Sequence, residues 1–126
     1  MSRSLTLKTS GNKPQSTHVE LPVVGLHYRV VATVMSEMVE AVPMEARLER
    51  EPRNIHDRNA IKVLVTDERF AHSNDFHIGY LPRTIAALYA PRLDTGTFPY
   101  RMEGRITEIH EDGTAVMILK RKPKHG

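Results

Sequence analysis

Two short runs of alternating residues flank an Asn- and Asp-rich corner, and this arrangement narrows the folds open to the chain. In the first run Met44, Ala46 and Leu48 alternate with Glu45, Arg47 and Glu49. In the second, Ile61, Val63 and Val65 share one face of the segment 60–65. A period of two with one apolar side describes half-buried strands. Between them runs Asn54-Ile55-His56-Asp57-Arg58-Asn59-Ala60-Ile61. Asn and Asp side chains hydrogen-bond their own backbone two residues on and so hold a tight reversal.

The remaining segments are read the same way. Val23 to Val31 is rich in β-branched residues and bounded by Pro22, which predicts a first strand. Residues 35–43 carry Met35, Met38, Val39 and Val42 and fit one helical turn or two. After a polar loop over 67–75, His77 to Leu81 reads as a short strand. Pro82 suits the first position of a helix, where no N–H is needed. Ile85, Leu88 and Tyr89 follow at helical spacing, and Pro91 is expected to limit the helix to two or three turns. Tyr100 to His110 and Thr114 to Lys120 flank Glu111-Asp112-Gly113, an Asp-Gly hairpin signal. Ala115 to Leu119 are all apolar, which predicts burial on both faces. The sum is mainly β: a small antiparallel barrel of five or six strands, with one short α-helix after the fourth. Closure into a barrel removes exposed edges.

A chain of 126 residues suggests one domain. Residues 1–20 read as a flexible basic arm, 21–120 as the domain and 121–126 as a basic tail. The absence of cysteine excludes disulfides, thiol catalysis and Cys-ligated zinc. No segment approaches the ~20 apolar residues of a membrane helix, and the N-terminus lacks the apolar core of a signal peptide. An intracellular location is expected, in the cytoplasm or nucleoid if the protein is bacterial, with no membrane partner.

The net charge of +3 invites a nucleic-acid reading, but its distribution is uneven. Arg3, Lys8 and Lys13 lie in the first 19 residues, and Lys120, Arg121, Lys122 and Lys124 at the far end. Without those seven, 11 of the 18 basic residues remain against all 15 acids, a net of −4 for 20–119. Any attraction by the folded part must therefore be local. Arg47, Arg50, Arg53, Arg58 and Lys62 form one such cluster, or else a solvated face.

Several polar residues stand out as candidates. Asp57 sits beside an imidazole and before an arginine, and either accepts from a ligand hydroxyl or pairs with Arg58. Asn54 and Asn59 either line a site or only brace the corner. His56 and Asp57 are adjacent, and adjacent residues of an extended segment point to opposite faces, so they make no catalytic dyad by themselves. No nucleophile elbow or phosphate-cradling loop is present, and His72 and His77 match no familiar metal spacing. No enzyme activity, metal or cofactor is implied. Tyr28, flanked by His27 and Arg29, is placed to stack a base while its neighbours take phosphate. Arg83, in a first helical turn, would favour a phosphate oxygen.

At these residues the chain resembles the HIRAN domain, a module found at the N-terminus of certain DNA-repair helicases. The resemblance rests on Val24-Gly25-Leu26-His27-Tyr28, on the segment from Leu48 to Val63 with its Glu-Pro-x-Asn-x-x-Asp-x-Asn-Ala-Ile pattern, and on Ile78-Gly79-Tyr80-Leu81-Pro82-Arg83. It implies an OB-like barrel with a helical insertion and non-enzymatic binding of single-stranded DNA, at a free 3′ end. It also implies a role in DNA repair or replication-fork processing, with repair or helicase proteins as further partners. In that picture Asp57 accepts from the 3′-hydroxyl, Tyr28 stacks on a base and His56 replaces a second aromatic. His27, Arg29 and Arg83 take phosphates, while Tyr80 and Asn54 line the pocket. The alternative is a protein-interaction adapter built on the same barrel.

Overall fold

The computed structural model describes residues 17–71 and 74–123. Most of the basic arm, the end of the tail from Lys124, and His72 lie outside the described residues. Six strands carry the fold: β1 His18–Val23, β2 Met44–Arg50, β3 Ile61–Val65, β4 Phe76–Tyr80, β5 Tyr100–Ile109 and β6 Ala115–Arg121. Three helices join them: α1 Leu26–Arg29, α2 Ala32–Ala41 and α3 Arg83–Thr95. All pairings are antiparallel, in the order β1-β6-β5-β2-β3-β4.

The sheet curls until its edges meet. Just past β1, Val24 donates to the Tyr80 carbonyl at 2.9 Å and accepts from the Tyr80 N–H at 3.0 Å. Gly79 permits this approach, because a Cβ there would collide with the Val24 carbonyl oxygen. The expected antiparallel, OB-like barrel is therefore present as a curled sheet, pinned at one point where its edges touch.

Its interior follows the alternation read in the sequence. Met44, Ala46 and Leu48 on β2 and Ile61, Val63 and Val65 on β3 all face the core. Ala46 pairs with Val65 and Leu48 with Val63, so the apolar rows coincide across the ladder. Met117 and Leu119 of β6 complete the row, but Val116 and Ile118 between them are only half-buried. β6 is thus one-sided rather than covered on both faces.

Three helices stand where one was expected, and three local readings need correction. The segment 23–31 is not one strand: β1 ends at Val23, and Gly25 at φ 87° turns the chain into the single turn α1. Glycine adopts that left-handed conformation without the Cβ clash that deters other residues. The ambiguous stretch is the ten-residue helix α2, which buries Met35 and Met38 one turn apart. In α3 the chain continues past Pro91 to Thr95. Ala87 and Pro91 are both on the solvent side, so water can serve the carbonyl that proline leaves without a donor. The helix ends at Gly96, φ 76°, where Thr97 N–H bonds the Arg92 carbonyl at 2.9 Å.

Candidate nucleic-acid interface

The corner is a short stack of local hydrogen bonds. Asn54 Oδ1 accepts from the backbone N–H of His56 at 2.8 Å and of Asp57 at 3.0 Å. Asp57 Oδ1 accepts from Asn59 N–H at 2.9 Å. Backbone bonds from Asn54 to Glu51 and from Ala60 to Asp57 close the two turns, each at 3.0 Å. Asn54 and Asp57 therefore both brace the corner, as the sequence chemistry allowed. The Oδ2 of Asp57 has no hydrogen-bond partner among the described residues.

Three segments converge on this corner. A cleft of about 400 Å³ is lined by Val24, Arg29, Asn54, His56, Asp57, Tyr80, Leu81 and Arg83. Six of the eight candidate residues thus share one concavity. Arg29 reaches it from the end of α1, and Tyr80 from the last position of β4. Arg83 opens α3, and its Nη2 donates to the His56 carbonyl at 2.9 Å, tying the helix start to the corner.

The other two candidates sit elsewhere. Tyr28 does not line the cleft; it stands on α1, not on a strand, and is 92% exposed. His27 is turned to the opposite side of α1. Its ring lies over Gly113 of the β5–β6 turn, close enough that a Cβ on that glycine would sit 2.5 Å from the imidazole Cδ2. It borders a separate groove shared with α2. The helical turn explains the split, because successive residues there diverge by ~100° around the axis.

Sequence reasoning gave Glu51 no role, yet its carboxylate organises the cleft wall. Oε1 accepts from the Tyr80 hydroxyl at 2.7 Å and from Asn54 Nδ2 at 2.7 Å. Lys62 Nζ lies 3.5 Å from Oε2. Burial pushes the Glu51 carboxyl up, but the hydrogen bonds from Asn54 and Tyr80 and the charge of Lys62 outweigh it and hold it below its ordinary value. Burial and the same hydrogen bond raise the Tyr80 phenol. Behind Tyr80 lies His77, edge-on at a ring separation of 4.9 Å. Its Nε2 donates to the Gly79 carbonyl at 3.0 Å, so that nitrogen carries the hydrogen. Burial, then the positive charge of Arg29, lowers the His77 pKa. A signal for Glu51 existed: it opens the Glu-Pro-x-Asn pattern of the corner.

The basic cluster near the corner divides in two. Arg47 bonds Glu49 and Asp75, Arg50 bonds Asp94, and Lys62 lies between Glu49 and Glu51. Arg53 and Arg58 form no ion pair among the described residues. Among those residues no group of three His, Cys, Asp or Glu is arranged to hold a metal ion. No helix there is long and apolar enough to cross a membrane.

The sequence profile of the HIRAN domain matches residues 16–121. The chain belongs to the HIRAN domain family. The HIRAN domain of human HLTF superposes with a TM-score of 0.59 at 23% identity, covering 82% of this chain and 74% of the other, a likeness of fold. A protein from Lactobacillus plantarum superposes with a TM-score of 0.58 at 26% identity, over 81% and 89% of the two chains. Two Arabidopsis thaliana proteins are similar in sequence. One is the Fanconi-associated nuclease 1 homolog, 33% identical over 71 residues, or 56% of this chain. The other is named as a candidate SWI/SNF-related matrix-associated actin-dependent regulator of chromatin, subfamily A member 3-like 1, 37% identical over 75 residues, or 60% of this chain. The HIRAN chain spans 7% of the length of each plant protein.

Proposed function

We propose that this HIRAN domain binds single-stranded DNA through the cleft, without chemistry, and accepts a free 3′ end there. The observation that carries the reading is the convergence of Arg29, Asn54, His56, Asp57, Tyr80 and Arg83 from three separate segments on one concavity. Two guanidinium groups supply charge for phosphate oxygens, and the start of α3 adds backbone N–H groups. Asp57 keeps one oxygen for the corner and offers the other to a donor such as a terminal hydroxyl. Tyr80, fixed by Glu51, and His56 give flat walls for a base. Tyr28 stands outside the cleft, exposed, where the next base along the strand would stack.

The names of the plant relatives, a nuclease homolog and a chromatin regulator, support a nucleic-acid partner. A role beside repair or helicase proteins follows from the same reading. His27 makes no phosphate contact in this proposal, because its ring is committed to the β5–β6 turn. Fluorescence anisotropy tests it with labelled strands ending in a 3′-hydroxyl, a 3′-phosphate or no free end. Preference for the 3′-hydroxyl, lost in Asp57→Ala, is the expected result. Equal affinity for all three rejects end recognition. Strand cleavage on adding divalent metal rejects the non-enzymatic role.

A further inference from the structure

Away from the cleft, α2 and the β5–β6 turn border a groove of about 700 Å³. Its floor is apolar, formed by the buried side chains of Val30, Met35 and Ile109. Val31 and Val39 line it as well, at 66% and 40% exposure. They are two of the five large hydrophobic side chains exposed among the described residues. Exposed apolar residues scattered singly are ordinary, but two gathered over an apolar floor mark a surface that gains from being covered.

Two carboxylates complete the lining. Glu40 comes from α2 and Glu111 from the turn, and neither has an ion-pair partner among the described residues. Among those residues no lysine or arginine lines the groove. The charges of α2 also run against its dipole. The helix has no acid in its first turn and no base in its last, and both its acids, Glu37 and Glu40, fall in its second half. A carboxylate near the negative end of a helix is destabilising, and a cation brought alongside offsets it. An apolar floor edged by unpaired acids is therefore complementary to a segment carrying apolar side chains beside Lys or Arg. The same acids repel a phosphate backbone, so a DNA strand is not the occupant.

The sheet decides the form of that segment. β5 lies between β6 and β2, so the groove presents no free strand edge and an extended chain finds no main-chain pairing there. An amphipathic helix needs none, because its backbone bonds are internal. The ten residues of α2 span about 15 Å, enough to flank nearly three turns of a docked helix.

We propose that the groove between α2 and the β5–β6 turn docks a basic amphipathic helix of another protein. It is separate from the cleft, since Arg29 lines the cleft and His27 the groove, on opposite sides of α1. Docking there leaves the cleft open and does not depend on the cleft taking DNA.

Three short alanine-based helical peptides probe the full chain by amide chemical-shift mapping and fluorescence anisotropy. The first carries leucines one turn apart, flanked by lysines. The second has Glu in place of each Lys, and the third Ser in place of each Leu. The Lys–Leu peptide is expected to bind saturably, with shifts at Val31, Val39, Glu40 and Glu111. The other two are expected to bind at least about tenfold more weakly. Glu40→Lys combined with Glu111→Lys, both on exposed positions, should reverse the preference between the Lys and Glu peptides. Val31→Ser combined with Val39→Ser should weaken the Lys–Leu peptide about tenfold. Absence of saturable binding, equal affinity for the three peptides, or shifts outside the groove overturns the proposal. So does an unchanged preference in the charge-reversed chain. Groove shifts produced by Leu5→Ser without peptide would give the groove to the chain's own N-terminal residues. Self-association by sedimentation that Val39→Ser abolishes would give it to a second copy. Either result overturns a partner helix.

Discussion

Tyr80 and Glu51, 29 positions apart in the chain, are joined by a 2.7 Å hydrogen bond from the phenol to Oε1. The same oxygen accepts from Asn54, so one carboxylate couples the end of β4 to the corner. Replacing Glu51 by Ala leaves the half-buried Tyr80 hydroxyl without its acceptor and Asn54 Nδ2 with only a long 3.5 Å contact to that hydroxyl, which costs about 1–3 kcal/mol. Glu51→Gln keeps an amide oxygen for one of them and should cost less. Urea unfolding measures both. Strand affinity should also fall in Glu51→Ala, although Glu51 itself does not line the cleft.

Stability should fall as the solution is acidified, in two stages. The His77 pKa is depressed below 6.5 by burial and by Arg29. The unfolded chain therefore takes up that proton first, and stability present above pH 6.5 declines as the pH drops toward the folded value. Glu51 and Asp67 are held below their ordinary 4.5 and 3.8. Their contribution is present above those values and is lost as the pH falls through the depressed folded ones. Urea midpoints across pH should show both declines, and His77→Gln should remove the first alone.

The edge closure makes Gly79 irreplaceable. Any Cβ there meets the Val24 carbonyl, so Gly79→Ala must pry β4 from the end of β1. A loss of about 1–3 kcal/mol is expected, typical of forced overpacking. Val24 and Tyr80 amide protons should exchange faster, which hydrogen exchange detects.

Tyr28 separates stability from binding. Because it is so exposed, Tyr28→Ala should change stability by no more than about 0.5 kcal/mol. If it stacks a base, affinity for a single strand falls by about 1–3 kcal/mol. Matched unfolding and anisotropy measurements decide the point.

Arg83 holds the His56 carbonyl and faces the cleft. As a phosphate contact, Arg83→Ala should weaken binding across all sequences and reduce the slope of log affinity against log salt by about 1. Titrations over a range of salt concentration give the slope.

The strands were legible because their signals are local. Met44-Ala46-Leu48 and Ile61-Val63-Val65 point inward in the structure as their alternation requires, and Asp112-Gly113 turns the last hairpin. The first strand lies at His18–Val23 rather than over 23–31: Val30 and Val31 favour β structure, while the breaker, Gly25, lies between them and Val23. That misreading put His27, Tyr28 and Arg29 on a strand, whereas one helical turn sends His27 and Arg29 to opposite sides. Asn54 was visible as a corner residue from its type, whereas Asp57, read as a ligand acceptor or a partner of Arg58, also braces the corner through the Asn59 N–H. For Glu51 the Glu-Pro-x-Asn pattern marked the position, but its bond to Tyr80, 29 residues away, is a tertiary contact that the pattern does not specify.

The central claim is that the cleft, and not the basic termini, receives the strand. Amide chemical-shift mapping with a short oligonucleotide ending in a 3′-hydroxyl tests it most directly. The account predicts the largest shifts at His56, Asp57 and Tyr80 to Arg83, with smaller ones at Tyr28 and Arg29. Shifts confined to Lys120, Arg121, Lys122 and the residues before Thr17 would contradict it.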